Sequence, residues 1–375
     1  MNETQQLNEV LNFIKAAFVG KDEIVDLLGI SLIARENTFL LGPPGTAKSA
    51  IVRMLSTCIQ DGKNFEYLLT RFTEPNEIFG PFDIRKLKDG ELRTNTDGML
   101  PEASMVFLDE IFNANSAILN SLLTALNEKL FRRGKETLQL PALMFVGASN
   151  QLPEDESLNA LLDRFLVRVR CGYVNPDRLS EVLSAGRKLE RKPTNPPQIK
   201  PDAIKTLQQD SKLVDLTPIL TPYVDLIHSM RNAGINVSDR RAVKIQNLIA
   251  ASALICERKT AERSDLWVLK YTWDTEEQIE VIAGMVDKLI ADQGSNYAHP
   301  QAVQGKLPDA ETLLQEIEQL SEQWDLAETS LSDRNVIKDK LRFLQSRLAW
   351  ITKAEHRQHL QERIDLFWAQ MLHSV

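Results

Sequence analysis

The 375-residue chain has little cysteine: Cys58, Cys171 and Cys256 are far apart, form no CxxC pair and have no histidine at ligand spacing. No disulfide framework or zinc site is expected, and a reducing compartment is the default. Long hydrophobic runs are also missing, since none approaches the roughly 20 residues that span a bilayer. The start, Met1 to Gln6, is polar and lacks the basic segment and apolar core of a signal peptide. These features predict a soluble, cytoplasmic chain with no membrane insertion. There is no excess of basic charge: 44 Lys and Arg stand against 52 Asp and Glu, a formal net charge of -8 and a pI near 5.4. With no aromatic–basic stripe, nucleic acid is disfavoured as the main partner. What remains, 43% hydrophobic and 26% charged, is ordinary globular composition, and the length suggests two or three domains.

The first half alternates strand-like and helix-like segments. Short apolar runs at Thr38–Leu41, Met105–Leu108, Leu143–Ala148 and Leu166–Val169 are bounded by turn residues, as buried parallel strands are. Ser116 to Leu130 places Ile118, Leu122, Leu123 and Leu126 on one helical face, with Ser116 as N-cap. Residues 1–190 therefore read as an α/β domain with a parallel sheet. Prolines at 193, 196, 197 and 201 mark a linker over 191–202. An all-helical domain is expected over 203–292, then a second loose stretch at Gly294 and Pro300. From 305 to 375, apolar residues recur at helical spacing: Leu313, Ile317, Leu320, Trp324; Ile337, Leu341, Leu344, Leu348, Ile351; Leu360, Ile364, Phe367, Met371. This predicts a helical hairpin or bundle whose stripe is core or, alternatively, a docking surface.

Chemistry concentrates first at Gly42-Pro43-Pro44-Gly45-Thr46-Ala47-Lys48-Ser49. Glycines let the backbone approach a phosphate, whose oxygens the N–H groups then cradle at a helix N-terminus. Lys48 supplies a mobile charge for β/γ-phosphates, and the Ser49 hydroxyl can ligate Mg²⁺. Ala47 stands where the general pattern has Gly, which is acceptable if the residue is already helical. The second element is Asp109-Glu110 at a strand end: after a phosphate loop, the first carboxylate holds the Mg²⁺ shell and the second polarises water. Asn150, at the tip of the next strand, would orient water near a γ-phosphate, or is a simple turn residue. Arg164, between apolar residues at a helix end, is a surface charge or reaches a neighbouring subunit's phosphate. Arg240 and Arg241, at a helix start capped by Ser238 or Asp239, reach phosphates from the helical domain or are exposed.

In this order, with Phe18-Val19-Gly20-Lys21, Arg71 to Pro81, Leu100 to Ala103 and Asn120 to Glu128, these elements resemble the AAA+ ATPases, over about residues 5–290. The MoxR family is most similar, and within it the regulatory ATPase variant A (RavA) group. The resemblance implies an α/β P-loop NTPase core, an all-α lid and a C-terminal helical region. It makes the stretch Gly42 to Ser49 Walker A, Asp109 and Glu110 Walker B, Asn150 sensor 1, Arg164 the arginine finger and Arg240, rather than Arg241, sensor 2. Val19 and Gly20 would lie by the adenine, and ATP with Mg²⁺ would be bound. Residues 82–100 would be a helix-2 insert with a β-hairpin tip at Lys86 to Glu91. It further implies a ring homo-oligomer, a hexamer, that remodels a von Willebrand factor A domain partner. Two departures stand out. Asp109-Glu110-Ile111-Phe112-Asn113 lacks the Asn-Arg that many members have after Asp-Glu-Ile, and 309–375 is too short and too helical for the β-rich domain of the RavA group. A nucleic-acid motor, a nucleotide-gated scaffold and a chelatase-type ATPase are the competing readings.

Overall fold

In a computed structural model of the chain, residues 2–88, 93–133, 136–153, 155, 158–190, 195–290, 298–304, 310–326, 331–348, 351 and 354–373 are described. Two helices come first, α1 (Glu3–Ala17) and α2 (Asp22–Ala34). The Asn2 side chain caps α1 in a reciprocal arrangement with Gln5. β1 (Thr38–Leu41) follows and is buried along its whole length. It lies between two parallel partners in a five-stranded sheet, because the order is β2-β3-β6-β1-β7. The remaining sheet strands are β2 (Asn64–Leu68), β3 (Met105–Asp109), β6 (Met144–Ser149) and β7 (Val167–Arg170). Four of the five match the expected apolar runs to within one residue. The edge strand β2 was not expected: its apolar Phe65 and Tyr67 alternate with Asn64 and Glu66, so no continuous run announces it. A separate antiparallel hairpin, β4 (Leu130–Arg133) with β5 (Glu136–Gln139), was also missed.

The crossovers carry α3 (Lys48–Thr57), the short α4 (Pro75–Phe79) and α5 (Ile84–Lys88), α6 (Ser116–Glu128) and α7 (Asn159–Leu162), and α8 (Leu179–Glu190) follows β7. Helix α6 is capped by Asn115 rather than Ser116: the Asn115 Oδ1 accepts from the N–H groups of Ala117 and Ile118, each at 3.1 Å. The insert also differs from expectation. Its base is paired, Phe82 opposite Thr94, with Asp83 N–H donating to Arg93 O at 2.7 Å. Beyond it the chain turns helical, because Asp83 Oδ1 takes the N–H of Arg85 at 2.9 Å. Lys86 to Lys88 thus lie in α5 and not on a strand tip, and Asp89 to Glu91 fall outside the described residues.

The linker is less loose than its prolines suggest. Ile199 is buried and pairs in parallel with Ile59, and Pro201 opens α9 (Pro201–Asp210), because a first-turn proline loses no needed N–H. Residues 191–194 lie outside the described residues. The helices α10 (Leu220–Asn232), α11 (Asp239–Ile255), α12 (Gln278–Ile290) and the short α13 (Pro300–Gln304) follow, with a 3₁₀ turn at Arg263–Tyr271. They share one core with the sheet domain. The tail forms α14 (Ala310–Leu326), α15 (Leu331–Arg347) and α16 (Ala354–His373), whose buried residues are those picked out by periodicity and make a core of their own. Helix α15 rests on Pro176–Arg178, where Lys340 pairs with Asp177 at 2.8 Å. Among the described residues, no helix is long and apolar enough to cross a membrane.

Candidate active site

Parallel pairing brings three sequence-distant segments to one edge of the sheet. β1 ends at Leu41 opposite Ser149 of β6, and Gly42 N–H donates to Ser149 O at 3.1 Å. β3 pairs Leu108 with Gly147, so Asp109 and Glu110 emerge beside Ser149 and Asn150. Gly42 is needed for space: a Cβ there would stand 2.1 Å from the Cys171 carbonyl oxygen. Gly45, at φ +81, has nothing within 4 Å of a built Cβ, so its requirement is conformational. Ala47 is not helical. It sits in the left-handed region at φ 69, ψ 16 as the N-cap of α3, so the residue replacing Gly carries backbone strain of about 1–2 kcal/mol.

Lys48 is buried. Its ammonium donates to the carbonyls of Gly42 and Pro43, the latter at 3.1 Å, and to Asn150 Oδ1 at 3.2 Å. The Asn150 amide donates in turn to Glu110 Oε1 at 2.6 Å, and Ser149 Oγ reaches Glu110 Oε2 at 3.5 Å. Ser49 Oγ lies 3.4 Å from Asp109 Oδ2. Glu110 is itself left-handed, φ 51, ψ 46, which turns its carboxylate back toward Asn150. One hydroxyl and one carboxylate oxygen, from Ser49 and Asp109, therefore converge beside the loop. That donor set fits Mg²⁺, which keeps most of its waters and takes few protein oxygens.

Beside the loop is a cavity of about 370 Å³ lined by Val19, Thr46, Ala47, Tyr173, Leu179 and Val182, among others. Val19 lies in its wall, and Gly20 (φ +71) packs on Val174 there. The mostly apolar lining suits a flat aromatic ring. The residues from Tyr173 to Leu189 were missed in the sequence, because a pocket wall on α8 has no spacing that differs from a core face. Under it, burial pushes the Cys171 thiol up to about 12 and holds the Lys21 ammonium below its usual range.

Arg164 and Arg240 are elsewhere. Arg164 O accepts from Asn37 Nδ2 at 3.0 Å, and Asn37 precedes β1 whereas the loop follows it. Four residues of strand, about 13 Å, separate the two ends. Arg164, Arg240, Lys244 and Asn127 line a second pocket at this opposite edge. Arg240, the sensor-2 candidate, is exposed and shares Arg164's pocket rather than that of Gly45 and Thr46. Arg241 is buried and committed, with its guanidinium on both oxygens of Asp274 (2.7 and 2.9 Å) and on Thr272 O. Asp274 also receives Arg168 of β7. Ser238 Oγ, taking the Arg241 N–H at 3.2 Å, is the cap that the sequence left open against Asp239.

Residues 5–209 match the model of the MoxR domain in the MoxR-vWA-beta-propeller ternary systems, and 219–286 match an AAA lid domain. The chain belongs to the MoxR family of AAA+ ATPases. An uncharacterized protein of Methanocaldococcus jannaschii is 36% identical over 301 residues, covering 80% of this chain and 76% of the relative. A Mycobacterium tuberculosis protein described as chaperone MoxR1 is 26% identical, covering 53% of this chain and 51% of its own. The crystal structure of an ATPase candidate from Cytophaga hutchinsonii shares the fold, with a TM-score of 0.62 at 18% identity over 78% of this chain and 95% of that one. Within this MoxR-family fold, the loop, the Asp109-Glu110 pair and Asn150 share one sheet edge, while Arg164 and Arg240 occupy the other.

Proposed function

We propose that the chain hydrolyses ATP at composite sites between neighbouring copies in a ring, a hexamer, and uses the cycle to remodel a protein partner. The observation that carries this is the separation of Arg164 from Lys48 by the length of β1. An arginine at the far edge of the sheet cannot serve its own loop, yet it can serve the loop of a copy packed against that edge. The phosphates would lie on the backbone N–H groups from Gly42 to Ser49. Lys48 would exchange its carbonyl contacts for phosphate oxygens, keeping Asn150 as the tether to Glu110. Glu110, aimed by that tether, takes a proton from the attacking water. Mg²⁺, held by Ser49 and Asp109, would offset phosphate charge. The adenine would fill the cavity by Val19, Gly20 and Tyr173. Arg164 with Arg240 of the next copy would then stabilise charge at the γ-phosphate, which for such an arginine is worth about 10³–10⁵ in rate. A von Willebrand factor A domain protein is the partner that the matched family model supports. The RavA group remains a resemblance carried by the motifs.

The test mixes two variants. Glu110→Gln keeps the arginines but loses its base, and Arg164→Ala keeps the base but loses the arginine. Each alone should turn over at under about a hundredth of the native rate, and the mixture should recover activity at hybrid interfaces. No recovery, with both variants assembled, would sink the composite site.

A further inference from the structure

The pocket that holds Arg164 and Arg240 is lined by two further basic residues, Arg241 and Lys244, and by Asp163. Arg240 and Lys244 are one helical turn apart on α11, so both leave the helix on the same side. Arg241, one position round, is diverted to Asp274. Lys244 Nζ lies 2.7 Å from Glu36 Oε2, and Glu36 is buried where α2 runs into β1. Burial pushes the Glu36 carboxyl up, while Lys244 and Lys129 pull it back. Lys129 is itself buried over the Phe145 ring, with no hydrogen-bond partner for its ammonium among the described residues. Burial holds the Lys129 ammonium down at about 7, so Lys244 is the main cation on Glu36, and its side chain, 35% exposed, still lines the pocket. Arg164 has an unmet donor there. Its Nη1 meets Asp163 at 3.1 Å, but its Nε is buried without a partner among the described residues. A buried guanidinium N–H without an acceptor is costly, and an incoming anion would satisfy it.

We propose that Lys244 supplies a third positive charge to the γ-phosphate that Arg164 and Arg240 receive from a neighbouring copy, and that Glu36 holds Lys244 in place until that phosphate arrives. The proposal rests on the composite-site reading above. A terminal phosphoryl group offers three peripheral oxygens, and three separate donors of this pocket match them. The flexible lysine stem lets Lys244 swing from Glu36 to the phosphate, which a rigid guanidinium would do less readily.

Lys244→Met, Lys244→Arg, Glu36→Gln and Arg164→Ala are compared in the full chain under assembling conditions. The readouts are kcat and KM for ATP, melting temperature, and binding of a fluorescent ATP analogue to dilute, unassembled chain. Lys244→Met should lower kcat at least about tenfold with analogue binding unchanged, Lys244→Arg should restore part of it, and Glu36→Gln, which loosens Lys244 but keeps its charge beside the pocket, should lower kcat by clearly less than Lys244→Met. If Glu36→Gln loses as much as Lys244→Met, Lys244 only braces α11 against Glu36 and the proposal falls. If Arg164→Ala is inactive while Lys244→Met is native in kcat, Lys244 takes no part and the composite site stands. Native kcat in both overturns the shared patch, Lys244 included.

Discussion

Asn150 donates its amide to Glu110 Oε1 at 2.6 Å while its own oxygen receives the Lys48 ammonium at 3.2 Å. One short side chain thus fixes the spacing between the Lys48 ammonium and the Glu110 carboxylate. Replacing Asn150 by Ala removes both contacts without touching the loop. Turnover should fall by about 10²-fold while nucleotide affinity changes little, as read by titration with a fluorescent analogue. A parallel loss of affinity would show that Asn150 serves binding rather than the water.

Ala47 carries a left-handed backbone that glycine adopts without strain. Ala47→Gly should therefore stabilise the chain by about 0.5–1 kcal/mol, the relieved strain outweighing the freer unfolded state. Denaturant unfolding measures it, and a loss of stability would mean that α3 takes up the alanine at less strain than its φ implies.

Asp274 joins β7 to α11 by receiving Arg168 and Arg241, which are both buried. Asp274→Ala leaves two buried cations without their carboxylate, at a cost of about 3 kcal/mol. It should also loosen the register of Arg164 against Arg240, so kcat should drop in whatever chain still folds. Native stability in this variant would show that the backbone oxygens of Thr272 and Trp273 suffice for the two guanidiniums.

His299 lies buried on the Trp267 ring, with burial pushing it down to about 4 from 6.5 despite Asp26 nearby. The folded state disfavours its protonated form. The stabilisation is therefore complete above the unfolded value of about 6.5 and is lost as pH falls toward 4, by about 3 kcal/mol in all. In His299→Gln, that part of the acid-side slope should vanish from unfolding curves between pH 4 and 7. An unchanged slope would assign it to other groups.

Strands β1, β3, β6 and β7, the glycine loop Gly42 to Ser49 and the C-terminal apolar stripes were legible because each is a local pattern: a short buried run, a loop of fixed spacing, a helical period. The edge strand β2 and the hairpin of β4 and β5 were not, because strands exposed on one side carry polar residues and short alternations that are common in loops. Proline was misread at Pro201, where position within a helix, not residue type, decides whether it breaks the chain.

By itself the sequence determined which groups meet at one end of the sheet, since Lys48, Ser49, Asp109, Glu110 and Asn150 lie in segments whose local form follows from composition and spacing. Only the tertiary structure decided where the arginines lie. The length of β1 lies between Arg164 and the loop, and Arg241 rather than Arg240 turns inward to Asp274. No local pattern encodes either fact, because both depend on which edge of the sheet a distant helix packs against.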